Sequence, residues 1–124
     1  MKKPGFPVWL FALLSFGSLY AQDGNVLPAG IPTDGVHIRD PFVLVHEGKY
    51  YLYGTRGETC WGPASGFDVY VGTDLENWDG PFECIHNDGS FWADRDYWAP
   101  EVHQWQGRFY MFASFKNPSV CRGT

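Results

Sequence analysis

No stretch of this 124-residue chain is both long enough and apolar enough to cross a bilayer. The N-terminal run Val8–Phe16 (VWLFALLSF) falls short of the roughly 20 residues that a spanning helix needs. Basic residues are scarce, with 9 Lys and Arg against 14 Asp and Glu. An acidic chain repels phosphate backbones and anionic lipid surfaces, which argues against nucleic-acid and membrane partners. Cysteine is sparse and odd in number: Cys60, Cys84 and Cys121. Their spacing matches no zinc pattern and fixes no pairing, and an odd count favours unpaired thiols. The four histidines are scattered without metal-ligand spacing. Helical periodicity is almost absent beyond the N-terminus.

The N-terminus has a purpose of its own. Lys2 and Lys3 precede the apolar run, and Gly17–Ala21 (GSLYA) closes it ahead of polar Gln22. A basic start, a short apolar stretch and small residues make a secretory signal peptide over 1–21, cleaved after Ala21. No cysteine stands near Ala21, so a lipid anchor is not expected. The remaining chain then carries seven basic against fourteen acidic residues, a net charge near −7. Such a chain suits a neutral, hydroxyl-rich ligand better than an anionic one. Residues 22–35, rich in Gly and Pro, read as an N-terminal loop.

Aromatics are abundant, with 6 Trp, 7 Tyr and 10 Phe. Most fit strands packed between sheets. Some, set beside acids, fit sugar recognition, because the apolar face of a sugar lies well on an aromatic ring.

One feature organises the rest. Arg39–Thr55 (RDPFVLVHEGKYYLYGT) aligns with Trp98–Ser114 (WAPEVHQWQGRFYMFAS), 59 residues later. Pro41, Val43, Gly48 and Tyr51 meet Pro100, Val102, Gly107 and Tyr110, and most other pairs are alike in kind. A long fixed period built from strands is the signature of a repeat architecture such as a propeller. The match breaks at Asp40, which faces Ala99 in the second copy. An acid that the repeated scaffold does not need is a candidate for chemistry.

Strand patterns over Phe42–His46, Lys49–Thr55, Phe67–Thr73 and Pro81–His86 make one four-stranded antiparallel blade. Glu101–Trp105 and Arg108–Phe115 restart it. The expected organisation is all-β, with blade one over about 36–95 and the start of blade two over about 96–124. One and a half blades leave sheet edges open, so the stretch reads as the N-terminal part of a longer protein.

His37–Pro41 (HIRDP), Lys49–Thr55 (KYYLYGT), Val69–Trp78 (VYVGTDLENW) and Trp98–Val102 (WAPEV), in this order and at blade spacing, resemble glycoside hydrolase family 43. The resemblance spans about Val36–Phe115. It implies a five-bladed β-propeller with its active site at one end of the central axis. It also implies inverting cleavage of plant polysaccharides at β-xylosides or α-L-arabinosides. The family uses two carboxyl groups, a general base that activates water and a general acid that protonates the leaving oxygen.

Asp40 matches the family's general base. Read from the residues alone, it is either an acid aimed into the axial pocket or a turn-capping side chain. Pro41 is expected to hold Asp40 extended, and alternation is expected to turn Arg39 away. Trp98 matches the tryptophan that faces the pocket, with a packing role as its alternative. Trp61 and Trp92 are candidates for distal subsites, His37 for hydrogen bonding beside Asp40, and Phe42 for lining the pocket. Glu101 belongs to a motif whose acid is usually structural, and Asp94 and Asp96 read as loop acids. Neither the general acid nor the family's third acid has a match here. No cofactor is indicated, although some family members hold axial calcium through residues outside this stretch. Two rivals stay open: a related propeller glycosidase acting on fructans or arabinofuranosides, and a non-catalytic sugar-binding propeller.

Overall fold

The computed structural model describes residues 30–123, so the expected signal peptide lies outside the described residues. Eight strands follow in order: β1 (Ile31–Pro32), β2 (Ile38–His46), β3 (Lys49–Arg56), β4 (Gly66–Gly72), β5 (Asn77–His86), β6 (Arg95–Trp105), β7 (Arg108–Asn117) and β8 (Val120–Gly123). One 3-10 turn, Thr33–Gly35, joins β1 to β2. Among the described residues no helix is long and apolar enough to cross a membrane.

The strands form two antiparallel sheets, ordered β1-β5-β4-β3-β2 and β6-β7-β8. The first is a four-stranded blade with an extra edge strand, and the second has three strands among the described residues. β1 corrects the expectation of a structureless segment up to residue 35: Ile31 and Pro32 pair with Trp78 and Asn77. Thr33 helps to fasten this strap, because its hydroxyl accepts from the Trp78 indole at 2.9 Å. β5 and β6 also begin earlier than their apolar patterns suggest, because polar ends such as Asn77 and Arg95 still find ladder partners.

The sequence repeat is also a repeat of register. Arg39 opposite Thr55 becomes Trp98 opposite Ser114. Val43 opposite Leu52 becomes Val102 opposite Met111, and His46 opposite Lys49 becomes Trp105 opposite Arg108. Both hairpins turn on two residues of positive φ, Glu47 (47°) with Gly48 (74°) and Gln106 (48°) with Gly107 (75°). That pair of conformations is the type I′ turn, whose twist matches the strands it joins.

The second shared feature is a one-residue bulge. The ladder slips between Arg39 and Phe42, and again between Trp98 and Glu101. Asp40 (φ 50°) and Ala99 (φ 49°) sit in these bulges, each ahead of a proline. This corrects the expected extended backbone at Asp40. The proline does not set that backbone, since the bulge holds it in the left-handed region. Asp tolerates that region, whereas Ala is strained there.

Side chains alternate across β3 and divide the core. Leu52 packs with Tyr70 and Trp78 on the face covered by Ile31, Val36 and Ile38. The opposite face of blade one meets blade two, where Phe67, Ala93, Tyr97 and Ala113 are buried together. Phe115 meets Tyr97 edge-on at 4.9 Å and closes that cluster. On β7, Tyr110 and Phe112 alternate with this buried row and are exposed.

The strain at Ala99 gives a test of the bulge. Ala99→Gly should stabilise the protein by about 1 kcal/mol, because glycine occupies positive φ without a Cβ clash. Thermal unfolding of the full-length protein reads this as a rise in Tm. A fall would show that Ala99 is not held at positive φ.

Candidate active site

Both bulges lie at the same end of the sheets, where β2 and β6 begin. Between them is a cleft of about 300 Å³. Asp40, Trp61 and Trp98 line it together with Arg39, Thr55 and Ala99. Of the residues singled out from the sequence, the structure gathers three here. The other three are elsewhere. His37 lines a separate pocket over Gly54 and Arg56, and its carbonyl accepts from Gly57 N–H at 3.2 Å. Phe42 packs on His103, with ring centroids 5.3 Å apart. Trp92 lines an aromatic cleft with Phe91 and Phe115, between the outer parts of the two sheets.

Asp40 is exposed to solvent at the cleft mouth, yet one oxygen is held. The Thr55 hydroxyl donates to Oδ2 at 3.1 Å. Thr55 is itself 1% exposed and accepts from the Ala99 N–H at 2.8 Å. The two positions that differ across the repeat are therefore joined through one side chain.

The bulge also explains Arg39, which was expected to turn away. Inserting one residue breaks the alternation, so Arg39 and Asp40 both reach the cleft. The Arg39 guanidinium lies 5.9 Å from the Trp61 ring centroid, a cation–π distance. It also reaches Cys60 Sγ at 3.9 Å. Trp61 meets Trp98 edge-on at 5.0 Å. The Trp98 indole donates to the Cys60 carbonyl, which ties the floor of the cleft to the loop that walls it.

That loop, between β3 and β4, is fastened to blade two by polar contacts. Asp96 accepts from Gly62 N–H at 2.7 Å, and Asp96 N–H returns a bond to the Gly62 carbonyl at 2.9 Å. Ala64 N–H reaches the Asp94 carbonyl at 3.0 Å, and Pro63 bridges to Arg95. Asp96 is thus a buried anchor. Its carboxyl is held below the ordinary carboxylate range, first by the Gly62 N–H and then by Lys116, whose Nζ is 3.4 Å away.

Glu101 stays outside the cleft, exposed and paired with His103 at 3.2 Å. Near His37, Arg56 grips Asp68 through two nitrogens, and this keeps the guanidinium well above its usual value. Cys60 and Cys84 are free thiols. Among the described residues no group of three or more His, Cys, Asp or Glu converges as a metal site.

The sequence did not single out Thr55 as functional. The repeat aligned it with Ser114, which looked like a conservative exchange; only the contact across the two blades reveals its position.

The anchor at Asp96 predicts a pH dependence. A depressed carboxyl pKa contributes stability above the unfolded value of about 3.9, and that stability is lost as pH falls through the folded value. Asp96→Asn keeps tolerance for the positive φ of 52° but loses the charge. Wild-type Tm should exceed that of the variant at pH 7, with the gap closing below about pH 4. A gap that persists unchanged at pH 3 would rule out the charge as its source.

Comparison with known proteins fits this geometry. The family description glycosyl hydrolases family 43 matches residues 30–123. The endo-arabinase of Bacteroides thetaiotaomicron VPI-5482 is 33% identical, with a TM-score of 0.66 over 77% of this chain and 32% of that one. A thermostable family-43 glycoside hydrolase is 30% identical, with a TM-score of 0.57 over 77% of this chain and 29% of that one. The RS223 β-xylosidase, at 18% identity and a TM-score of 0.60, covering 76% of this chain and 32% of that one, shares the fold. A search of curated proteins returned no match. The chain spans about a third of the length of these structures. The paired blades, the repeated bulge and the match over residues 30–123 place this chain in glycosyl hydrolases family 43, over part of its β-propeller fold.

Proposed function

We propose that the full-length protein is an exported, inverting glycosidase acting on arabinan- or xylan-type plant polysaccharide, with Asp40 as general base. The carrying observation is the Asp40 carboxylate at the mouth of a tryptophan-walled cleft, where the matching repeat position is Ala99. Arabinan is the first substrate class to test, because the endo-arabinase is 33% identical.

The reaction needs two carboxyl groups on opposite sides of the sugar, about 6.5–9.5 Å apart in inverting enzymes. Asp40 takes a proton from water while the water oxygen bonds to the anomeric carbon. The glycosidic C–O bond breaks, and its electron pair leaves on the departing oxygen, which takes a proton from the general acid. Asp40 is the acid that lines this cleft among the described residues. The general acid is assigned to the later blades of the longer protein. Trp98 and Trp61 offer the faces on which the sugar rings lie.

Asp40→Asn in the full-length enzyme should lower kcat about 10²–10⁴-fold on linear arabinan, with substrate binding retained. Trp98→Ala should raise KM as well, since it removes a surface and not a proton acceptor. Near-normal kcat in Asp40→Asn, with activity abolished by Glu101→Gln, would move the chemistry to the WAPEV segment. Residues 22–124 alone should not turn over nitrophenyl xyloside or arabinofuranoside, and turnover that Asp40→Ala removes would refute the need for a later acid. Secreted protein should begin at Gln22 on N-terminal sequencing, whereas intact Met1 on exported material would exclude cleavage.

A further inference from the structure

We propose that Thr55 is a positioning residue for Asp40, an inference that rests on reading Asp40 as the general base. A threonine hydroxyl has one proton to donate and two lone pairs to accept with. The Ala99 N–H points into Oγ1 at 2.8 Å, which occupies one lone pair. The single O–H is then directed at Asp40 Oδ2, 3.1 Å away. The backbone of blade two thereby fixes which way the hydroxyl of blade one donates. Thr55 is 1% exposed, so bulk water does not compete for it.

The donor chain sets the orientation of the carboxylate. Asp40 stands in a bulge at positive φ, at a solvent-exposed strand mouth, where a short acid could otherwise turn toward its own backbone or toward water. Holding Oδ2 from the strand behind removes that freedom. The geometry assigns Oδ1, the oxygen Thr55 does not hold, to the attacking water. Small misplacements of a reacting group cost large factors in rate, so the effect belongs in the chemical step. Blade two supplies the conservative exchange. Its equivalent residue, Ser114, keeps a hydroxyl and faces Trp98 across the ladder as Thr55 faces Arg39, and its bulge position carries no acid. Serine therefore fits this register position, which makes it the conservative exchange.

The test uses the full-length enzyme on linear arabinan, with initial rates taken well below each variant's Tm. Thr55→Val keeps the shape and removes the hydroxyl. It should lower kcat at least about tenfold with KM within about twofold, the signature of an interaction realised in the transition state. Thr55→Ser should stay within about threefold of wild type. Adding Thr55→Val to Asp40→Asn should cost little further, because a residue that acts through Asp40 has nothing left to position. Wild-type kcat in Thr55→Val, a Thr55→Ser variant as poor as Thr55→Val, or an undiminished tenfold loss in the Asp40→Asn background would each overturn the assignment. Should Thr55→Val fail to fold with the Ala99 N–H left unpaired, Thr55→Cys takes its place. Its thiol is a weak donor, so an intermediate kcat is expected and wild-type kcat would refute the proposal. Wild-type kcat in Asp40→Asn itself would instead refute the general-base reading, whatever Thr55 does.

Discussion

The contact of Thr55 with both Asp40 and the Ala99 N–H is where the two blades meet at the cleft. A propeller blade is stabilised internally by its own ladder, but its register against the next blade rests on what crosses between sheets. Part of that here is apolar and forgiving: Phe67, Ala113 and Phe115 pack without a directional requirement. The hydroxyl of Thr55 is directional. It requires the bulge of β6 to present its N–H within 2.8 Å and the bulge of β2 to present a carboxylate within 3.1 Å. Sliding one blade past the other by a residue would break both bonds, each worth about 1 kcal/mol net.

The repeat explains how such a site arises from a regular scaffold. Both blades use the same hairpin and the same bulge before proline, so both present a residue at φ near 50° at the same end. In blade one that residue is Asp40 and its side chain is offered to the cleft. In blade two it is Ala99 and its backbone is used. One backbone geometry thus provides an acid and the donor that helps to hold it, which needs side-chain difference at a single repeat position. Ala99 bears conformational strain for this, and the N–H bond to Thr55 offsets part of it.

Much of this was legible in the sequence, and the limits have physical causes. The 59-residue offset marked two equivalent hairpins, and their registers agree because matching turns and matching apolar faces leave a strand little choice. The Asp40/Ala99 break marked a position that lines the cleft, but the backbone expected there was wrong. The proline suggested an extended residue, while the bulge, which only pairing across strands defines, put it at positive φ. The same bulge misled the reading of Arg39, since alternation holds only where the ladder is continuous. His37 and Trp92 fall to other pockets and Phe42 to packing on His103, because adjacency along a strand alternates in space and loops project outward. Thr55 was illegible alone, because its meaning lies in a partner 44 residues away.

The wall of the cleft follows a different logic from its floor. Trp61 is 70% exposed, so burial does not fix its ring. It is placed instead by the loop that carries it, and that loop is pinned by Asp96, by backbone bonds to the second blade and by the Trp98 indole on the Cys60 carbonyl. A ring placed by the polar contacts of its loop stays exposed, which placement by burial would not allow. Each of those contacts runs from the loop between β3 and β4 to β6 or to the segment just before it. The wall of the cleft therefore depends on blade two being in register, and so on the same inter-blade alignment that holds Asp40. Asp40 stands on β2 and the wall on the β3–β4 loop, yet one alignment sets both. On the proposed reading, a change in blade packing would alter sugar placement and water activation together.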